Sequence, residues 1–139
     1  LLPQAGEVVL VEFIYIVCGD ICQIAAADFG EIRDRLQAQG VKSRLLTVSF
    51  DPERDTPEQM SIYGDAHEAD SRMWTVARPD QRDLPGLLDL FDVTVIPDEW
   101  GGFQHNAAIH VISSDGRFSA VFDTDAVEAV LAHLRRAQP

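Results

Sequence analysis

Val8–Gln23 reads VVLVEFIYIVCGDICQ, an apolar run that ends in two cysteines four positions apart. Val8 to Val17 is almost entirely aliphatic or aromatic, mostly β-branched, the pattern of a strand buried on both faces as in a parallel sheet. After Cys22 the period changes to that of a helix, IAAADFGEIRDRLQA, with Ile24, Ala27, Ile32 and Leu36 able to share a face. Both thiols therefore fall at a strand-to-helix turn. Free backbone N–H groups and the positive end of a helix dipole stabilise a thiolate there, and the thiolate is both the nucleophile and the metal ligand. Cys18 and Cys22 are the only cysteines in the chain.

A length of 139 residues with 46% hydrophobic content suits one domain, 1–139, around a single core. A net charge of -12 argues against nucleic acid, whose phosphates would be repelled over most of the surface. The acidic surface reads as a solvated face or as one that meets a basic partner. No apolar run reaches the roughly 20 residues of a membrane span, and LLPQAG lacks the features of a signal peptide. Because the first core strand follows almost at once, a signal or anchor ahead of this segment is expected.

Outward from the opening stretch, Gly40 closes the first helix and Ser43–Phe50 reads as a second strand, which implies a right-handed parallel crossover. Thr56, Pro57 and Gln59 announce a helix start: a capping hydroxyl, proline at the first helical position and a capping-box glutamine. That helix ends near 66–69. Met73–Ala77 reads as a short strand, and Leu84–Phe91 as a short helix with apolar residues at i, i+3, i+4 and i+7. The segment 93–106 reads as a long apolar loop, and loops of this kind are usually functional. Ala107–Ser113 and Phe118–Asp123 form an antiparallel hairpin around Asp115-Gly116, and Asp125–Arg136 is a final amphipathic helix. The order is β-α-β-α-β-α-β-β-α, an α/β mixed sheet with helices on both faces and a C-terminal β-β-α unit.

This pattern resembles the thioredoxin-like fold, and three motifs resemble the Sco/SenC family in particular. They are Cys18-Gly19-Asp20-Ile21-Cys22, the loop Ser49-Phe50-Asp51-Pro52-Glu53-Arg54-Asp55-Thr56-Pro57, and His105-Asn106 ahead of the hairpin. The resemblance implies copper as the metal and Cys18, Cys22 and one histidine as its ligands. Counting back about ten residues from Asp115, as the family pattern asks, reaches His105; His110 then falls mid-strand as a packed core histidine. Gln23 stands where the family commonly has proline, and Trp100-Gly101-Gly102-Phe103 lies outside its best-known motif. His67 and His133 read as surface residues.

Two thiolates and an imidazole make a soft, three-coordinate set that favours Cu(I), whereas structural zinc takes four protein ligands. Side chains at i and i+4 of a regular helix have Cβ atoms about 5 to 6 Å apart. A disulfide needs about 3.5 to 4.5 Å. A metal can thus bridge the sulfurs with little distortion, and Cys18 and Cys22, the catalytic pair of a dithiol mechanism, need the turn to tighten before they oxidise. Glu12 is the one charge in the first strand. By resemblance to the buried acid of thioredoxins it exchanges protons with Cys22; as an alternative it is a structural carboxylate. Asp51 and Arg54 order the loop beside the site.

The resemblance implies a copper metallochaperone that takes copper from a donor protein and delivers it to a copper-enzyme subunit, such as the copper centre of cytochrome c oxidase. The alternative is a thiol-disulfide oxidoreductase that reduces the cysteines of a copper target. A peroxiredoxin-like peroxidase ranks below both, because Ile16-Val17-Cys18 lacks the threonine such a site needs. Either leading reading implies a periplasmic or otherwise extracytoplasmic protein, membrane-bound only through an anchor ahead of this segment.

Overall fold

The computed structural model describes residues 4, 6–18, 20–70 and 72–137, without the side chains of residues 18 and 20–22. Its centre is β1 (Val8–Ile14), which pairs in parallel with β2 (Ser43–Ser49) and antiparallel with β6 (Ile109–Ile112). With β3 (Trp74–Ala77) and β7 (Phe118–Phe122) these form a five-stranded mixed sheet in the order β3-β2-β1-β6-β7. The α/β, thioredoxin-like architecture expected from the sequence is the one observed.

The unbroken apolar run of β1 follows from its central place, since alternate residues feed two cores. On one side Leu10 joins Leu45, Trp74 and residues of α1 (Asp20–Ala38) and α4 (Val127–Ala137), among them Phe29, Ile32 and Leu131. On the other, Val9, Val11, Phe13 and Tyr15 pack with Phe50, Phe91 and Val93, beneath leucines of α3 (Leu84–Leu90). The helix α2 (Pro57–Ala66) has the capping box read from its sequence: Thr56 accepts from the Gln59 N–H, and the Gln59 side chain accepts from the Thr56 N–H.

Three details differ from the sequence reading. The first strand stops at Ile14, and Ile16–Cys18 forms a 3-10 turn. The buried stripe of α1 is Ala26, Phe29, Ile32 and Leu36; its phase is set by Phe29, edge-on to Trp74 with ring centroids 5.5 Å apart, and it leaves Ile24 and Ala27 outward. The segment 93–106, expected as a loop, contains a small hairpin of its own, β4 (Val95–Pro97) against β5 (Phe103–His105).

One polar chain crosses the first core. Trp74 Nε1–H donates to Thr47 Oγ1 at 2.9 Å, and Thr47 donates to Glu12 Oε1 at 2.6 Å. Glu12 and Thr47 are register partners on β1 and β2, and both are fully buried. Burial pushes the Glu12 carboxyl up to about 8, against the opposing pull of the Thr47 hydrogen bond. The phenol of Tyr63 is likewise pushed up, first by burial and then by Glu12. A raised carboxyl retains its proton in the folded state after the unfolded chain has lost it, so stability declines as pH rises through that window. Between pH 4.5 and 8 wild-type stability should fall by a few kcal/mol, at about 1.4 kcal/mol per unit of pKa difference. Glu12→Gln should remove most of this slope, as measured by urea unfolding at a series of pH values.

Candidate metal centre

The cysteine turn sits where β1 gives way to α1. Phe50 N–H to the Ile14 carbonyl, 2.9 Å, links the end of β1 to the residue following β2; two residues on, the Ile16 N–H turns to the Asp55 carboxylate at 3.3–3.4 Å. Asp55 also accepts from Ser49 Oγ at 2.5 Å and is 1% exposed. Burial raises its carboxyl, with the Ser49 and Ile16 hydrogen bonds pulling the other way. One buried carboxylate thus joins the end of β2 to the backbone two residues before Cys18. In the backbone, Cys18 closes the 3-10 turn and Cys22 is the third residue of α1. The side chains of both cysteines lie outside the described residues, so the expected sulfur geometry does too.

His105 ends β5, opposite Val95. Its ring rests on an aromatic floor, 4.8 Å from the Phe50 ring centroid and 6.3 Å from that of Tyr15. Phe50 directly precedes Asp51 of the 49–57 loop, so the surface that carries His105 is part of the structure that holds Ile16. Burial lowers the His105 pKa, with the Asn106 backbone acting against it, which favours the neutral imidazole a metal needs. His105 Nδ1 is buried without a hydrogen-bond partner among the described residues, leaving Nε2 as the nitrogen able to meet a ligand.

The hairpin that delivers His105 is fixed at several points. Arg54 Nε donates to Asp51 at 2.5 Å, Arg54 Nη1 donates to the Gly101 carbonyl, and its guanidinium lies 5.2 Å over the Phe103 ring. Asp98 Oδ1 accepts from the Trp100 and Gly102 N–H groups, each at 2.8 Å. A Cβ at Gly102 would come within 2.8 Å of Asp98 Oδ2 and 3.2 Å of the Tyr15 hydroxyl, so a side chain here would have to displace the Asp98 carboxylate. At the base, the Asn106 side chain accepts from the Thr94 N–H and donates to the Asp92 carbonyl.

The other histidines are placed differently. His110 is 3% exposed, edge-on to Phe13 and Phe91, in the core role expected of it. His67 caps the C-terminus of α2 against the Tyr63 ring at 4.5 Å, more buried than a surface reading implies, and His133 meets Ser119 Oγ at 2.8 Å. Among the described residues no three His, Cys, Asp or Glu side chains cluster closely enough to hold a metal. Beside the cysteine turn, a cleft of about 430 Å³ runs between Ile16, Gln23, Ile62, Tyr63 and His67, and Val17, Ile24 and Ile62 are strongly exposed. Asp51 and Arg54 act in the loop as the sequence suggests; Asp55 and the floor of Tyr15 and Phe50 were not singled out by it.

Asp55→Ala should leave the Ile16 N–H and the Ser49 hydroxyl without their partner, at a cost of about 1–3 kcal/mol. Urea unfolding should show that loss, and hydrogen exchange should show faster exchange at Ile16.

The chain is similar to known proteins along most of its length. The family model described as SCO1/SenC matches residues 4–137. The SCO1 protein homolog of Bacillus subtilis (strain 168) is 34% identical over 58 residues, which is 42% of this chain and only 30% of that relative's length. Bradyrhizobium japonicum ScoI, solved with copper bound, superposes with a TM-score of 0.77 at 25% identity, covering 96% of this chain and 86% of the other. A SCO1/SenC family lipoprotein of Bacillus anthracis str. Ames gives 0.85 at 17%, covering 96% and 82%. BsSco, a member of the Sco family of cytochrome c oxidase assembly proteins in which a disulfide switch was identified, gives 0.79 at 22%, covering 96% and 81%. With a family match that runs from residue 4 to residue 137 over a shared fold, this chain belongs to the SCO1/SenC family.

Proposed function

We propose that the protein binds one copper ion through Cys18, Cys22 and His105, and passes it to a copper-enzyme subunit such as the copper centre of cytochrome c oxidase. The observation that carries this reading is His105, held on Phe50 and Tyr15 with Nδ1 turned inward. Pure dithiol chemistry has no need of an imidazole positioned in this way. The donor set also fits: two thiolates and one imidazole suit Cu(I), and an open three-coordinate site can surrender its ion to a partner. Two copper-handling steps fall to the chain's own groups. The cysteine thiols must give up their protons, which the N-terminus of α1 favours, and His105 must present Nε2.

Residues 1–139 act in this reading as one thioredoxin-like domain. The copper donor and the receiving subunit are proteins; the exposed Val17, Ile24 and Ile62 beside the cysteine turn offer them apolar contact. Among the described residues no helix is long and apolar enough to cross a membrane. An extracytoplasmic location is supported by the lipoprotein relative, and an anchor in the full-length protein would be compatible with it. The disulfide switch of BsSco favours a second reading, in which Cys18 and Cys22 reduce the cysteines of a copper target.

Reduced wild-type protein should bind one equivalent of Cu(I) in a competition titration with a chromophoric chelator. Cys18→Ser and Cys22→Ser should abolish tight binding, and His105→Ala should weaken it while leaving the dithiol oxidisable. Unchanged affinity in either cysteine variant contradicts the ligand set; unchanged affinity in His105→Ala leaves the thiol-disulfide reading. Because one ligand sits on the hairpin, hydrogen exchange across residues 95–105 should slow on copper loading, and identical exchange in the apo and loaded forms would count against it.

A further inference from the structure

Glu12 and His105 lie on different elements, yet both line one small cavity together with Ala25, Ala107 and Thr124. Its space open to a water molecule is about 10 Å³. That is room for a single water, and a buried water is retained only where polar groups can hold it. Thr124 is one polar residue of the lining, and two others carry buried polar atoms without a partner among the described residues. Glu12 is 1% exposed, and while its Oε1 accepts from Thr47, its Oε2 is buried with no partner among the described residues. His105 Nδ1 is buried and unpartnered in the same sense. An unsatisfied buried polar atom is costly, so two of them on residues that line one water-sized space call for a shared explanation.

The direction of the polar chain accounts for Oε2. Trp74 Nε1–H can only donate, so Thr47 Oγ1 accepts from it and directs its own hydrogen to Glu12 Oε1. The second carboxyl oxygen is thereby left for a different partner. Tyr63 Oη, also buried and unpartnered, is near enough to Glu12 for the carboxyl to raise its pKa, but Tyr63 lines the separate cleft beside Ile16 and Gln23 and not this cavity.

We propose that Glu12 positions His105 through one water held in this cavity, which bridges Glu12 Oε2 and His105 Nδ1. Water both donates and accepts, so the bridge serves the carboxyl group and the imidazole in whichever way their hydrogens are arranged. The ring is then fixed from its inner nitrogen, and Nε2 faces outward. Glu12 is a positioning residue here, linked in turn to Thr47 and Trp74 of the core. A metal-binding histidine is ordinarily oriented by such an outer partner, whose removal lowers affinity by about 10- to 100-fold. The inference deepens the copper reading, but the bridge itself can be tested without copper.

In reduced, copper-free protein, the ¹⁵N signals of the His105 ring report the hydrogen bonding of each nitrogen. Glu12→Leu, which fills the site without a polar group, should shift the Nδ1 signal and change the tautomer ratio. Glu12→Gln, which keeps a polar group toward the water, should restore the wild-type signal in large part, and Tyr63→Phe should leave it unchanged. On copper loading, Glu12→Leu should bind at least tenfold more weakly than wild type, with Glu12→Gln in between. A Glu12→Leu ring signal identical to wild type overturns the bridge whatever copper does. Should Glu12→Leu fail to fold, a Glu12→Gln crystal structure showing no water between residue 12 and His105 would overturn it equally. Copper binding that ignores His105→Ala instead overturns the ligand reading, and the ring signals still decide the bridge.

Discussion

The buried carboxylate of Asp55 is the contact on which the arrangement at this end of the molecule depends. The parallel pairing of β1 and β2 brings two strand ends together but does not dictate where the chain goes next. Asp55 does so by accepting the Ile16 N–H, just beyond the end of β1, together with the Ser49 hydroxyl at the end of β2. The same loop places Phe50 under His105 and, through Arg54, holds the hairpin that carries it. One loop of nine residues therefore registers three separate elements against one another.

A carboxylate in this position is costly to bury unless its hydrogen bonds are well made, and its partners are the Ser49 hydroxyl at the end of β2 and the Ile16 N–H of the turn that follows β1. His105 is held differently, at the end of a two-stranded hairpin that packs Val95 and Phe103 against the second core. Its stability comes from Arg54, Asp98 and Asn106, all partly exposed and polar.

Much of this was readable from the chain because it rests on local rules. The 3.6-residue and 2-residue periods, the Thr56-Pro57-Gln59 cap and the Asp115-Gly116 turn depend on near neighbours, and they appeared where expected. The fold class followed from their order. What could not be read depends on distant partners. The phase of α1 is decided by Phe29 meeting Trp74, 45 positions away, so Ile24 looked like a core residue and faces outward. The hairpin at 95–105 has strands of only three residues, too short for a period to register. Asp55 looked like one more acid in a charged loop, because its burial comes from strands on either side. Glu12 stood out as a charge in an apolar strand, yet its neighbours Thr47 and Trp74 become visible only through sheet register.

The central claim is that an imidazole held by the aromatic floor completes a site begun by two thiols. X-ray absorption spectroscopy of the reduced, copper-loaded protein examines it most directly, because sulfur and nitrogen scatter differently around copper. The account predicts two sulfur ligands and one nitrogen in the wild type, with the nitrogen lost in His105→Ala. A spectrum with sulfur ligands alone in the wild type, or one unaltered by His105→Ala, would contradict it.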